Sequence, residues 1–243
     1  MTAALQIEGL SHRFGPLRAL DDVSLTVGQG RFTALLGVNG AGKTTLFSLI
    51  TRLYDSRSGR IVICGHDLRR TPGQALAEIG VVFQSRAMDL DLTVAQNLAY
   101  HGALHGMGRK QLTARIAAVI AQVGLQDKLQ ARVATLSGGQ SRRAEIARAL
   151  MHEPKLLLLD EASVGLDIQA RSDVLALVRA LVAEAGVGVL WATHLLDEIA
   201  PEDDTVILHR GRVLAAGTAR EIASTRTLSE VFLDMTATPE TAP

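Results

Sequence analysis

The chain has 243 residues, with 25 basic against 25 acidic side chains, 47% hydrophobic residues and 3% aromatics. Such length and apolar content provide for a sizeable core, in one domain or two small ones, and exclude a disordered chain. Balanced charge excludes a general pull toward nucleic acid or anionic lipid, and the scarcity of aromatics argues against a base-stacking platform.

In chain order, short apolar runs alternate with helical patterns, which predicts an α/β fold. Arg31 to Leu36 reads as a strand ending at Gly37. Thr44 to Leu53 reads as a helix, with Leu46, Phe47, Leu49, Ile50 and Leu53 at helical spacing. Further strands are expected at Arg60 to Cys64 and Gly80 to Phe83. From Val94 to Met151 the pattern turns mostly helical, with Leu112, Ile116, Val119, Ile120 and Val123 on one face and Gly124 as a C-terminal cap. This stretch reads as a helical subdomain set into a sheet-based core. Strands resume at Leu156 to Leu159, Val187 to Ala192 and Thr205 to Leu208, and Arg210-Gly211 reads as a tight turn into Arg212 to Ala216. The last dozen residues read as a frayed tail. One domain is expected: a core of about 1–84 and 155–225, a helical subdomain of about 85–154 and a tail of about 226–243.

The lone Cys64 cannot form an internal disulfide, which points to a reducing compartment, and its apolar strand makes it inert packing. No apolar run approaches the ~18 residues of a membrane span. The N-terminus lacks the charged start and apolar stretch of a signal peptide. A soluble, cytosolic protein is expected.

Gly37-Val38-Asn39-Gly40-Ala41-Gly42-Lys43-Thr44 fits G-x-x-x-x-G-K-[ST] between a predicted strand and a predicted helix, the context the motif requires. Its glycines let backbone N–H groups turn inward on phosphate oxygens, and the helix N-terminus adds a favourable dipole. Lys43 suits the β- and γ-phosphates, and the Thr44 hydroxyl suits Mg²⁺. A glycine-rich turn with a surface lysine is the plain alternative, and the flanking elements argue against it. Neither Asn39 nor Asn97 stands in the Asn-Lys-x-Asp context that guanine recognition needs. Leu156 to Leu159 end in Asp160-Glu161, where a buried strand presents functional groups at its carboxyl edge. Asp160 suits Mg²⁺, and Glu161 is placed to orient or deprotonate a water attacking the γ-phosphate. Leu136-Ser137-Gly138-Gly139-Gln140, ahead of a helical run from Ser141 to Met151, offers a hydroxyl, two bare glycine amides and a helix N-terminus as a second anion site. Alone it would read as a plain helix cap.

These motifs, in this order, resemble the nucleotide-binding subunits of ABC transporters. Leu136 to Gln140 matches that family's signature verbatim, and the phosphate loop, Asp160-Glu161, Gly165-Leu166-Asp167 and His194 keep the family's order from about Leu5 to Gly217. The resemblance implies an α/β P-loop fold with a sheet-based ATP-binding core, a small antiparallel β part and an inserted helical subdomain. It implies that Phe14 stacks on the adenine, against the alternative of a packed core phenylalanine. ATP would be held by Gly37, Asn39, Gly40, Gly42, Lys43, Thr44 and Thr45. Ser137, Gly138, Gly139, Gln140 and Asp167 would act across a dimer. Glu161, His194, Gln84 and Lys43 form the implied catalytic set, and Thr44, Gln84 and Asp160 the Mg²⁺ set. Gln84 would also link the core to the helical subdomain, and His194 would contact the γ-phosphate. The family often has proline where this chain has Val38, and proline then threonine where it has Ala162-Ser163, which could loosen the turn after Glu161.

Other signals are plainer. His101 and His105 stand at i, i+4, a spacing that can share a metal. No third ligand is evident nearby and glycines weaken the helix, so the segment reads as exposed or partner-facing. Arg142-Arg143, on a helix with Glu145 and Arg148, reads as a solvated face. Ser85 to Val94 mixes acids with Met88, Leu90 and Leu92, and in the family this region borders a groove that receives the membrane subunit. Asp89 to Gly106 resembles export-type cassettes, in particular a subgroup associated with quinoprotein (PQQ-dependent) alcohol oxidation. The resemblance therefore implies a Mg²⁺-dependent ATPase subunit, peripheral on the cytoplasmic membrane face. It would work as a head-to-tail pair with a separate transmembrane permease, with export favoured and no nucleic-acid partner. The alternative is a soluble ABC ATPase acting on DNA or a ribosome. It is disfavoured by the single cassette and by the short stretch between Lys43 and Ser137. A non-catalytic nucleotide sensor is disfavoured by Glu161 and His194.

Overall fold

Two long strands that the apolar pattern did not single out open the chain: β1 (Ala3–Phe14) and β2 (Leu17–Gly28), paired antiparallel. The computed structural model describes residues 3–237. After β2 come β3 (Phe32–Leu36), α1 (Lys43–Ile50), β4 (Arg60–Ile63), β5 (His66–Asp67), α2 (Pro72–Ala77) and β6 (Ile79–Val82). Three helices follow, α3 (Val94–Leu104), α4 (Arg109–Gln122) and α5 (Gly138–Ala149). Then come β7 (Leu156–Asp160), α6 (Ile168–Ala185), β8 (Gly188–Thr193), β9 (Asp204–His209), β10 (Arg212–Thr218), α7 (Ala219–Ala223) and α8 (Leu228–Thr236). The expected strands and the turn at Arg210-Gly211 are present, with ends shifted by a residue or two.

A four-stranded sheet has the order β2-β1-β4-β5, and a six-stranded sheet the order β10-β9-β3-β8-β7-β6. Strands β9, β3, β8, β7 and β6 are parallel, and β10 returns antiparallel along β9. The parallel strands are covered on both faces, which is why β7 and β8 read as unbroken apolar runs. Leu156, Leu158, Leu190 and Ala192 face the smaller sheet and α1, where they meet Leu5, Ile7, Leu46 and Phe47. Leu157, Leu159, Val189 and Trp191 face the opposite side, against Val174 and Val178 of α6 and Ile146 of α5. Alternate residues of one strand thus serve two cores.

Helices α3 to α5 lie between β6 and β7 in the chain, where the helical stretch was expected. Val94, Leu98, Val119, Ile120 and Ala144 continue the second core outward. Gly124, at φ +64°, follows α4 in the left-handed conformation of a helix stop. The frayed tail needs correcting. Helix α8 has a capping box at Thr227 and Glu230, and its buried Phe232 packs on Leu36 and Ile207. Residues 238–243 of that expected tail lie outside the described residues.

Candidate active site

Strands β3, β8, β7 and β6 are neighbours in that order, so their carboxyl ends form one edge of the sheet. The phosphate loop follows β3, His194 follows β8, Glu161 follows β7, and Gln84 stands two residues beyond β6. Residues far apart in the chain thereby meet.

The loop is braced from behind. Gly37 N–H donates to Thr193 O at 3.2 Å, and a Cβ on Gly37 would stand 2.5 Å from Leu208 O. Gly42 takes φ +109° where a Cβ would come within 2.8 Å of Ala19 O. No side chain other than hydrogen fits that approach. Gly211 N–H donates to Ala41 O at 2.9 Å, so the β9–β10 turn also supports the loop.

One carboxylate gathers the residues expected to form the catalytic set. Glu161 Oε1 lies 3.2 Å from Lys43 Nζ and 3.3 Å from His194 Nδ1, and Oε2 lies 3.5 Å from Gln84 Nε2. Lys43 is only 5% exposed and also donates to Gly37 O at 2.7 Å. Glu161 holds φ +49°, a region that costs a residue with a Cβ roughly 1–3 kcal/mol. Its N–H donates to Ala192 O at 3.0 Å, which anchors the strained position.

Asp160 lies beneath this cluster, 2% exposed, and its Oδ1 has no hydrogen-bond partner. Burial raises its carboxyl above the ordinary range and the Glu161 charge adds to this; a hydrogen bond from Thr44 and the Lys43 charge oppose it. An unpaired buried carboxylate oxygen beside a threonine hydroxyl is a hard donor pair that fits Mg²⁺.

The resulting cleft, about 850 Å³, is lined by Phe14, Asn39, Gly40, Gly42, Lys43, Thr44, Thr45, Gln84, Glu161 and His194. That is a size suited to a nucleotide. Phe14 is 41% exposed and stands edge-on to His12 and Tyr54, so it is not a packed core residue. Leu17, Arg18, Ala19, Val164 and Arg210 also line the cleft and were missed. They come from the start of β2, the loop after β7 and the β9–β10 turn. Only the last of these left a sequence signal.

Ser137, Gly138, Gly139, Gln140 and Asp167 do not line the cleft. Ser137 caps α5 in a box with Gln140, whose Oε1 accepts from Ser137 N–H at 3.0 Å. Asp167 caps α6 by accepting from Ala170 N–H at 2.8 Å. The two caps adjoin, because a Cβ on Gly139 would stand 2.8 Å from the Ala170 Cβ. They make one surface of their own.

Three expectations change. The turn after Glu161 is tied down: buried Ser163 donates to Glu198, which also accepts from Trp191 Nε1 at 2.9 Å and Thr193 Oγ1 at 2.6 Å. Met88 is 5% exposed and belongs to the core. Arg142 is not on a solvated face. It is 7% exposed and donates to Glu145 Oε2 at 2.7 Å and Phe83 O at 2.9 Å, while Glu145 accepts from Ala87 N–H at 3.2 Å. The pair fastens the segment around Gln84 to the signature helix. Arg142→Ala should destabilise the fold by about 3–5 kcal/mol, because it leaves the buried Glu145 carboxylate without its cation. Urea unfolding measures this; a loss below about 1 kcal/mol, the value of an exposed pair, would contradict the buried assignment.

A lysine-bearing phosphate loop, with carboxylates on a neighbouring strand of a parallel sheet, defines a P-loop nucleotide hydrolase. The chain belongs to the ABC transporter family, whose sequence profile matches residues 20–164. It is similar to the linearmycin resistance ATP-binding protein LnrL of Bacillus subtilis, with 34% identity over 90% of this chain and 71% of that one. It is 36% identical to the methionine import ATP-binding protein MetN 1 of Rhodococcus jostii, over 90% and 67% of the two chains. Among solved structures, cbiO1 of Clostridium perfringens, described as part of the ABC transporter complex cbiONQ, superposes with a TM-score of 0.85 at 28% identity over 96% of each chain. The chain is an ATP-binding, ATP-hydrolysing subunit that energises a partner permease. No helix of the described residues is long and apolar enough to cross a membrane.

Proposed function

We propose that this subunit is a Mg²⁺-dependent ATPase of an exporter, seated on the cytoplasmic face of the membrane against a separate permease. The observation that carries the catalytic assignment is the Glu161 carboxylate, held in a strained position against Lys43, His194 and Gln84. Residues 1–243 act as one nucleotide-binding unit, with a helical subdomain of about 85–154.

Phe14 receives the adenine, and the loop residues Gly37, Asn39, Gly40, Gly42 and Thr45 bind the phosphates. Thr44, Asp160 and Gln84 hold Mg²⁺, which neutralises phosphate charge when bound. Glu161 takes a proton from water as the water oxygen bonds to the γ-phosphorus and the bond to the β-phosphate oxygen breaks, releasing ADP. Lys43 and His194 stabilise the charge on the γ-phosphoryl oxygens.

Export is supported by the resistance named for LnrL. We extend it to the subgroup associated with quinoprotein alcohol oxidation on the resemblance of Asp89 to Gly106. Import is the second reading, supported by the methionine import protein at similar identity. Permease docking is assigned to Leu90, Tyr100 and Leu104, which are 45%, 65% and 68% exposed. Leu90→Asp with Tyr100→Asp should abolish co-purification with the permease and leave ATP binding unchanged. Undiminished co-purification would remove the docking assignment. Direction is tested with the assembled transporter in inside-out vesicles: ATP-driven accumulation of substrate means export, and ATP-driven loss of preloaded substrate means import.

A further inference from the structure

Three histidines with no part in ATP hydrolysis meet where the helical segment adjoins the start of β6. His101 lies in the last turn of α3, His105 caps that helix, and His152 follows α5. The third ligand that the sequence did not place beside His101 and His105 comes from the other end of the segment. The ligand nitrogens of all three lie within 4.8 Å of one another.

His152 Nε2 stands 2.8 Å from Ile79 O. A carbonyl only accepts, so Nε2 carries the hydrogen, and in the neutral ring Nδ1 keeps its lone pair. That Nδ1 is buried without a partner, and so is His101 Nε2. Buried nitrogens are rarely left this way. A backbone carbonyl on the far ring nitrogen is also how metal-bound histidines are commonly oriented. Burial lowers the basicity of the His101 and His152 rings, taking His101 to about 4 with Arg148 and the other two imidazoles adding to the effect. Neutral imidazole, the form that binds metal, is therefore available at neutral pH.

We propose that His101, His105 and His152 form a binding site for a late first-row divalent metal ion, with zinc the first candidate and a coordination position left to solvent. Three imidazoles without a carboxylate suit zinc, copper or nickel, not Mg²⁺ or Ca²⁺. Tetrahedral zinc with bonds of about 2.0–2.1 Å needs ligand nitrogens roughly 3.4 Å apart, so the cluster must contract. His105 supplies the movement. It is exposed and stacked on His152 with ring centroids 4.0 Å apart, and parallel rings must turn to share an in-plane ligand. Arg148 and Arg115 oppose a cation here and Glu78 favours one, so coordination and not the local field must supply the affinity. A bound ion would cross-link α3 to the segment that packs on β6, and so tie the helical segment to the core.

The test is titration of the tag-free chain with Co²⁺ and Zn²⁺ in excess Mg²⁺. One Co²⁺ per chain should give visible d–d bands of tetrahedral type, and zinc should displace it. His105→Ala and His152→Gln should each weaken zinc binding by at least about tenfold, with ATP binding and circular dichroism unchanged. Because His105 is exposed, its removal does not threaten the fold. Equal zinc affinity in the parent and His105→Ala, or no stoichiometric binding by the parent, would overturn the site.

Discussion

Glu161→Gln is expected to bind ATP as the parent does and to turn it over about 10²–10⁴-fold more slowly, the usual contribution of a positioned general base. The substitution keeps the shape of the side chain and replaces one oxygen by an amide nitrogen. Asp160 and Thr44 are untouched, so the Mg²⁺ donors remain. Lys43 loses a charge partner at 3.2 Å but keeps its bond to Gly37 O, so it stays at the loop. The amide cannot accept the water's proton at neutral pH, and that is the whole defect. Lys43→Ala should act on a different step. It removes a charge-assisted phosphate contact and leaves the Glu161 carboxylate buried without its cation, so nucleotide binding itself should fall. Equilibrium binding and steady-state turnover, measured with the permease assembled, separate the two variants. Near-parental turnover in Glu161→Gln would take the role of base away from this residue.

The phosphate loop, the acidic end of β7 and the strand before His194 were legible in the sequence because each is local. A tight glycine turn or a buried apolar strand leaves its mark within ten residues or so. What the sequence could not show was the strand order β3-β8-β7-β6, which alone makes Gln84, Glu161 and His194 neighbours. Strands β1 and β2 escaped for a physical reason. Val23 to Val27 alternates cleanly, but the pairing shifts register at four points between Ala3 and Arg13, and Asp22 sits at φ +56°. Each such bulge breaks the period-two pattern. Arg142 was misread because a buried ion pair and an exposed one use the same residues at the same spacing. His152 was out of reach because its neighbours are set by packing, not by sequence distance. The frayed end was misjudged because one buried aromatic, Phe232, was enough to anchor a helix.

A mixed pair of Lys43→Ala and Ser137→Arg chains should regain an ATP-dependent association that neither variant shows with its own kind. We propose that each ATP lies between the phosphate loop of one copy and the Ser137 surface of the other. The geometry motivates this, since Ser137, Gly138 and Asp167 are exposed on a surface outside the cleft. Beside them Ile168 is 86% exposed, an apolar side chain suited to an interface with a second copy. In a homodimer of either variant both sites are damaged, because every loop or every signature is defective. In the mixed dimer one site carries both lesions and the other carries none. The intact site should then close, and Glu161→Gln in both chains should hold it closed by slowing turnover. Crosslinking or light scattering reads the association directly, without requiring that one site hydrolyse alone. Isolated heterodimers that associate no better than the two homodimers would rule out a site shared between copies, since a site confined to one chain gains nothing from mixing.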